Sequence, residues 1–297
     1  MPADNHRLTP GAHKFTTAHG ATLTYFVKGR GPRLLVNVAP GWGCASILYQ
    51  NSFGFLERDF TIAHLEVRGT RGSSFPHDLA KMSSWHMAED VEALRHYLGV
   101  DALDSVTGHS NGGCIALWYA IRYPRRLRHL VLLDSQLLGP EADAVGGAAM
   151  DAILATRPER DAVDALKDYD PAKILSDEQF GEVLNKFLPL YFAQPDRDMP
   201  RFQREIFINL PEAKPLRTQA AVEGQHSKQD TQLDNITAKT LIIVGRGDFI
   251  CPVEVSELID RRVRSSTLHV VEDSGHFPWI EHQPRVWPII KSFYGIH

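Results

Sequence analysis

Short runs of aliphatic and β-branched residues alternate with helical patterns along most of this 297-residue chain. The runs that we interpret as strands begin at Arg33, Phe60, Asp104, Leu130, Thr240 and Thr267. Because strands that are joined through helices lie parallel, the alternation predicts a mostly parallel sheet with helices on its faces. Before these runs, residues 14–18 and 23–27 flank His19 and Gly20, and this pattern predicts an antiparallel hairpin.

The alternation stops between about Gly139 and about Asp234, where helical patterns continue without a convincing strand. We therefore predict an inserted helical cap over residues 139–234. The α/β core is then formed by residues 1–138 and 235–297. Within the cap, Ser176 and Gln179 have the spacing of a capping box at the start of a helix.

Composition and charge exclude several classes of protein. The 32 lysines and arginines against 36 acidic residues give a net charge of -4, too little positive charge for binding nucleic acid. No segment approaches the run of about 20 apolar residues that a membrane span needs. Cys44, Cys114 and Cys251 are widely separated and odd in number, which argues against disulfides and structural zinc. We expect a cytoplasmic protein without nucleic-acid or membrane partners, and its oligomeric state stays open.

The segment Gly108-His109-Ser110-Asn111-Gly112 follows a predicted strand and begins a predicted helix. This is the context of a nucleophile elbow, a sharp turn that presents a serine between a strand and a helix. Glycine is needed two residues before and after the serine because a Cβ atom there would collide with backbone. The free N–H groups at the start of the helix could hold an oxyanion. We predict that Ser110 is a nucleophile and that His109 is a structural neighbour.

A serine hydroxyl needs a base to take its proton and an acid to orient that base. Asp248 follows the strand that begins at Thr240, and His276 follows the next strand. Both strand ends would lie at the carboxyl edge of the sheet, beside Ser110. Asp134, which ends an earlier strand, is an alternative acid. The sequence therefore predicts a catalytic triad of Ser110, His276 and Asp248.

These motifs resemble those of the α/β-hydrolase superfamily over nearly the whole chain. Residues 85–95 are similar to the corresponding stretch of prolyl aminopeptidase-like members. The resemblance implies an α/β-hydrolase fold with a helical cap, and hydrolysis of an ester, lactone, thioester or amide. It also implies that the backbone N–H groups of Trp42 and Asn111 form the oxyanion hole.

The chain departs from that branch in the oxyanion loop, which we define as residues 39–43. Prolyl aminopeptidases carry His-Gly-Gly-Pro-Gly there, whereas this chain has Ala-Pro-Gly-Trp-Gly. Pro40 replaces a histidine whose ring usually braces the loop, so we expect the loop to be held differently. The elbow also differs, since Gly-Gly-Ser-Trp-Gly of those enzymes is replaced by residues 108–112.

We therefore expect a cofactor-independent serine hydrolase that acts on a mostly apolar small molecule through an acyl-enzyme. We assign substrate contacts to Trp42, Phe187, Tyr191 and Phe277. No phosphate-binding, dinucleotide-binding or clustered metal-ligand motif is present in the sequence, so we expect no organic cofactor and no metal. Two alternatives stay open: a carbon–carbon bond hydrolase, lyase or cyclase that uses the same triad, and a non-catalytic ligand receptor of the same fold.

Overall fold

The computed structural model describes residues 6–18 and 20–296, so His19 of the predicted hairpin turn lies outside the described residues. Eight strands form one sheet: β1 (Gly11–Thr16), β2 (Thr22–Lys28), β3 (Arg33–Val38), β4 (Phe60–Leu65), β5 (Leu103–Ser110), β6 (Leu127–Ser135), β7 (Lys239–Gly245) and β8 (Ser266–Val271). Their order across the sheet is β1-β2-β4-β3-β5-β6-β7-β8. Strands β1 and β2 pair as an antiparallel hairpin and β2 joins β4 antiparallel, whereas β3 to β8 pair in parallel. The predicted mostly parallel sheet is confirmed.

The α-helices connect and cover the strands. They are α1 (Ile47–Gln50), α2 (Ser84–Leu98), α3 (Asn111–Arg122), α4 (Pro140–Thr156), α5 (Arg160–Lys167), α6 (Asp177–Phe187), α7 (Pro195–Arg201), α8 (Ala213–Ala220), α9 (Val253–Arg262), α10 (Pro278–Glu281) and α11 (Gln283–Tyr294). Helix α2 ends at Gly99, whose φ of 72° gives the left-handed cap that glycine adopts without strain. Within the described residues, no helix is both long enough and apolar enough to span a membrane.

Both faces of the sheet are covered by apolar side chains. Along β6, Leu130 and Leu132 pack in a cluster with side chains of α2, α3 and α9. The intervening Val131 and Leu133 pack in a second cluster with side chains of α11. This alternation follows from the pleat of a strand, which sends successive side chains to opposite faces. Burial on both faces explains why the strands are continuous apolar runs in the sequence.

The register of the parallel strands brings several strand ends to one edge. Val38 at the end of β3 pairs with Gly108, and Ser110 pairs with Ser135 at the end of β6. Gly245 at the end of β7 pairs with Val271 at the end of β8. The segments that follow these strands therefore meet at the carboxyl edge of the sheet, where ligand sites of open α/β folds form.

The chain between β6 and β7 contains helices α4 to α8, and no strand lies among its residues, all of which the structure describes. Helix α6 begins as predicted, because the Ser176 hydroxyl accepts a hydrogen bond from the Gln179 N–H at 3.2 Å. The return bond differs from a standard capping box, since the Gln179 side chain accepts from Leu175 N–H. An inserted helical segment is thus present, while its limits at residues 139 and 234 stay a prediction.

Candidate active site

Ser110 lies on a strained turn between β5 and α3. Its φ of 54° and ψ of -125° are unusual for a residue with a side chain. A Cβ atom at Gly108 would lie 2.1 Å from the Gly112 carbonyl oxygen, and one at Gly112 would lie 2.5 Å from the Val38 oxygen. Only glycine fits at both positions, and helix α3 directs its N-terminal N–H groups toward the turn. The turn has the form of the predicted nucleophile elbow.

His276 and Asp248 form a buried pair. The His276 Nδ1 atom lies 2.8 Å from Asp248 Oδ2, and Asp248 is fully buried. The other carboxylate oxygen accepts the backbone N–H groups of Ile250 and Cys251 at 3.0 and 3.1 Å. The backbone N–H of His276 donates to the Tyr191 carbonyl oxygen at 2.7 Å. With Nδ1–H donating to the carboxylate, Nε2 of the neutral ring is the nitrogen that can accept a proton.

Asp134, the alternative acid, is also buried at this edge, but it has another partner. Its Oδ1 atom accepts the Gly245 N–H at 2.9 Å, and the backbone at Asp134 has a φ of 43°. Burial and the neighbouring Asp248 carboxylate raise the pKa of Asp134 well above its usual value. The structure thus pairs His276 with Asp248, and burial favours the protonated form of Asp134 beside them.

His109 lines the cavity, and both of its ring nitrogens have partners within the protein. Its Nδ1 lies 2.8 Å from the Tyr49 hydroxyl, and its Nε2 lies 2.9 Å from the His276 carbonyl oxygen. Because the carbonyl needs a donor, the proton lies on Nε2 and Tyr49 donates to Nδ1. Burial lowers the pKa of His109 well below its usual value, so the ring stays neutral. The structural role predicted for His109 stays a prediction.

The oxyanion loop differs from the arrangement implied by the family resemblance. The Trp42 N–H donates to Gln219 Oε1 of α8 at 2.7 Å, and Trp42 has a φ of 51°. In this structure the Trp42 N–H therefore has an acceptor within the protein. Asn111 is the first residue of α3, whose first N–H groups have no partner within the helix. The assignment of Trp42 and Asn111 to an oxyanion hole stays a prediction, and Gln219 is a neighbour that sequence reasoning missed.

A cavity of about 360 Å³ lies over Ser110 and His276. All four predicted substrate contacts, Trp42, Phe187, Tyr191 and Phe277, line it. Other residues that line the cavity were not predicted from the sequence: Leu48, Tyr49, Tyr169, Ile250 and Cys251. Within the part of the chain that the structure describes, no aspartate, glutamate, lysine or arginine lines the cavity. The site is therefore a mostly apolar pocket, with Ser110 and His276 among its few polar lining residues.

Cys251 is a neighbour of both Asp248 and Ser110. Its thiol faces Ser110, and burial together with the Asp248 charge raises its pKa well above the usual value. The ligand atoms of Asp248, Cys251 and His276 lie within 4.8 Å of one another, a spacing that could suit a metal. However, His276 Nδ1 already donates to Asp248, and a protonated thiol is a poor metal ligand. The absence of a catalytic metal stays a prediction.

Comparison with known proteins identifies the family. A family model described as the alpha/beta hydrolase fold matches residues 39–283, so the chain belongs to the α/β-hydrolase family. Proline iminopeptidase PfmaB of Pestalotiopsis fici is 26% identical over 94% of this chain and 98% of that protein. The 2-hydroxy-6-oxo-2,4-heptadienoate hydrolase of Pseudomonas putida is 30% identical over 71% of this chain and 70% of that protein.

The solved structures give the same fold. An alpha/beta fold family hydrolase from Bacillus anthracis superposes with a TM-score of 0.74 at 18% identity, covering 95% of this chain and 98% of that one. The α/β-hydrolase fold predicted from the sequence is thereby confirmed, as is the similarity to the prolyl aminopeptidase-like branch. The chain is a member of a family of hydrolytic enzymes.

Proposed function

We propose that this protein is a cofactor-independent serine hydrolase that cleaves an ester, lactone, thioester or amide of an uncharged, mostly apolar small molecule. One observation carries the proposal. Ser110 and the Asp248-bound His276 open onto a cavity whose described lining contains no acidic side chain, lysine or arginine. Such a pocket desolvates an apolar substrate and leaves the triad to supply the polar chemistry.

The proposed reaction passes through an acyl-enzyme. Ser110 Oγ attacks the substrate carbonyl carbon while its proton moves to His276 Nε2, and the carbonyl oxygen becomes an oxyanion. Asp248 stabilises the resulting imidazolium through Nδ1–H. The leaving group takes the Nε2 proton as its bond to carbon breaks. Water then attacks the acyl group with His276 as the base, and the carboxylic acid product leaves Ser110 free again.

The absence of charge in the cavity lining separates this proposal from the activities of two relatives. An iminopeptidase must bind a substrate amino group, and a heptadienoate hydrolase must bind a carboxylate. Each of these groups is charged at neutral pH and needs a partner of opposite charge when it leaves water. The described lining contains no acidic side chain to pair with the amine and no lysine or arginine to pair with the carboxylate. Carbon–carbon cleavage of such an acid is therefore the weaker candidate, and analysis of the reaction products distinguishes it from ester hydrolysis.

A set of p-nitrophenyl esters tests the proposed substrate class. We expect the hexanoate to be the better substrate by kcat/KM than the acetate, because the longer chain fills the apolar cavity. A hexanoyl chain that ends in a carboxylate or an ammonium group should lose at least about 100-fold in kcat/KM, since the charge is desolvated without a partner. Equal turnover of charged and uncharged esters would refute the substrate assignment.

The same esters test whether the cap selects the substrate. Phe187 lines the cavity, whereas Leu190 belongs to the same apolar cluster and is absent from the lining. Phe187→Ala should lower kcat/KM for the hexanoate by about 10-fold to 200-fold and change the acetate little. Leu190→Ala is the matched control, which should lower the melting temperature and affect both esters alike. Identical behaviour of the two variants would show that Phe187 only stabilises the cap.

A further inference from the structure

Helix α8 and the residue before it form two hydrogen bonds with the oxyanion loop. The Trp42 N–H donates to the Gln219 side chain at 2.7 Å, and the Gly43 carbonyl accepts the Glu212 N–H at 2.8 Å. Glu212 is the residue that precedes α8, and Gln219 lies near the end of that helix. Pro40 stands where prolyl aminopeptidases carry a histidine that usually braces this loop. The inserted helical segment therefore supplies the hydrogen bonds that fix the position of this loop.

The Gln219 carboxamide is buried and its orientation is determined by its partners. Gln219 is 1% exposed, and its Nε2 donates to Asn111 Oδ1 at 2.8 Å and to Glu223 Oε2 at 3.1 Å. Asn111 Oδ1 must be an acceptor because Asn111 Nδ2 donates to Ser84 and Gln136. Carboxylate oxygens of Glu223 are acceptors as well. Gln219 Oε1 is consequently the atom that faces Trp42.

This arrangement conflicts with the role proposed for the Trp42 N–H. One N–H group makes one strong hydrogen bond, so it cannot serve Gln219 and an oxyanion together. An amide oxygen competes well with a neutral ester carbonyl for this donor. A charged oxyanion is a stronger acceptor, because hydrogen bonds to charged groups are about twice as strong as neutral ones. The exchange of partner is therefore favoured only when negative charge develops on the substrate.

The backbone at this position permits the exchange. Trp42 has a φ of 51°, in the left-handed region that is costly for a residue with a side chain. Rotation of the Gly41–Trp42 peptide would release the N–H from Gln219 and relieve that strain. Gly41 tolerates the change, since it has no Cβ atom that would meet Gln219 Oε1, which lies 2.7 Å from the ideal Cβ position.

We propose that Gln219 is a positioning residue that holds the Trp42 N–H in the resting enzyme and yields it to the oxyanion. The inference rests on the proposed serine hydrolase function. The donor then acts in the transition state and contributes little to substrate binding, so it raises kcat without lowering KM. Helix α8 thereby links the inserted helical segment to the oxyanion hole.

Inhibitor binding to variants tests this role. Gln219→Leu removes the competing acceptor, and we expect an alkyl boronic acid, whose tetrahedral adduct carries negative charge, to bind about 5-fold more tightly. A saturated alcohol that fills the cavity should bind unchanged. Thr218→Ala is the matched control, because it changes the neighbouring residue of α8, whose hydroxyl donates to the Lys214 and Pro215 carbonyls, and leaves Gln219 and its partners in place. Both affinities should stay as in the unsubstituted protein. Unchanged or weaker boronate binding to Gln219→Leu overturns the proposal.

A crystal structure of the unsubstituted protein after reaction with a p-nitrophenyl alkylphosphonate decides the question without relying on a variant. Ser110 Oγ forms a bond to phosphorus as p-nitrophenolate leaves, and the serine proton passes to His276 Nε2. The phosphoryl oxygen represents the oxyanion. We expect this oxygen about 3 Å from the Trp42 nitrogen, with the bond to Gln219 broken. An adduct in which Trp42 still donates to Gln219 overturns the inference and leaves the proposed function intact. Failure to form an adduct on Ser110 contradicts the proposed function and the inference with it.

Discussion

Replacement of Ser110 or of His276 by alanine is expected to lower kcat by about 10⁴-fold to 10⁶-fold on any substrate that the protein hydrolyses. Without Ser110 there is no acyl acceptor, and without His276 the serine hydroxyl keeps its proton. Steady-state kinetics on a p-nitrophenyl ester measures both losses. Because His276→Ala removes one donor from the buried Asp248 carboxylate, thermal unfolding should be followed to show that the variant is folded in the assay.

The double variant tests whether the two residues act as one unit. Residues that work in a single step are strongly non-additive, so the combined Ser110→Ala and His276→Ala protein should be hardly slower than either single variant. His109→Gln serves as the comparison for His276→Ala, because it replaces a histidine beside Ser110 that is outside the triad. His109 contacts the Tyr49 hydroxyl and the His276 carbonyl oxygen. Losses that multiply in the double variant would show that Ser110 and His276 do not share a mechanism.

Asp248→Asn is expected to lower kcat by about 10⁴-fold, whereas Asp134→Asn should change it by less than about 10-fold. The asparagine amide at position 248 would donate to His276 Nδ1 and place the ring proton on Nε2, where it blocks the base. At position 134 the amide replaces a carboxyl of similar shape whose protonated form is favoured by burial, and the amide oxygen can still accept the Gly245 N–H. A larger loss for Asp134→Asn than for Asp248→Asn would reverse the assignment of the acid.

The stability of Asp134→Asn as a function of pH gives an independent check. Burial and Asp248 raise the pKa of Asp134 in the folded protein above its value of 3.8 in the unfolded chain. The folded state therefore binds the proton more tightly, and this carboxyl makes the protein less stable as the pH rises above about 4. Asp134→Asn should raise the free energy of unfolding at pH 7 and leave it similar near pH 4. Equal effects at both pH values would mean that Asp134 is not held neutral by burial.

The fold and the polar residues of the site were largely accessible from the sequence, because local patterns determine them. Parallel strands buried on both faces are continuous apolar runs, and the chain order of strands and helices then fixes which strand ends meet. Gly108 and Gly112 are required by contacts within a few residues of Ser110, so the elbow can be recognised locally. The preference of His276 for Asp248 over Asp134 follows from the β7 and β8 ends lying side by side.

The cap contacts could not be derived in the same way. Gln219 reaches Trp42 across 177 residues of sequence, and its carboxamide is positioned by Asn111 and Glu223. A glutamine and a glutamate four residues apart in the sequence are ordinary surface residues in most proteins, so nothing local indicates their burial. The uncharged lining of the cavity likewise depends on how the inserted helices pack on the core, which sequence periodicity does not specify.

Covalent labelling tests the central claim, that Ser110 is the nucleophile of a working triad, most directly. The protein is treated with a fluorophosphonate, and the intact mass and the modified peptide are determined by mass spectrometry. We predict one adduct per chain on Ser110, with loss of ester hydrolysis in proportion to labelling, and no adduct in Ser110→Ala. Labelling of another residue, or ester hydrolysis that persists in the fully labelled protein or in Ser110→Ala, would contradict the claim.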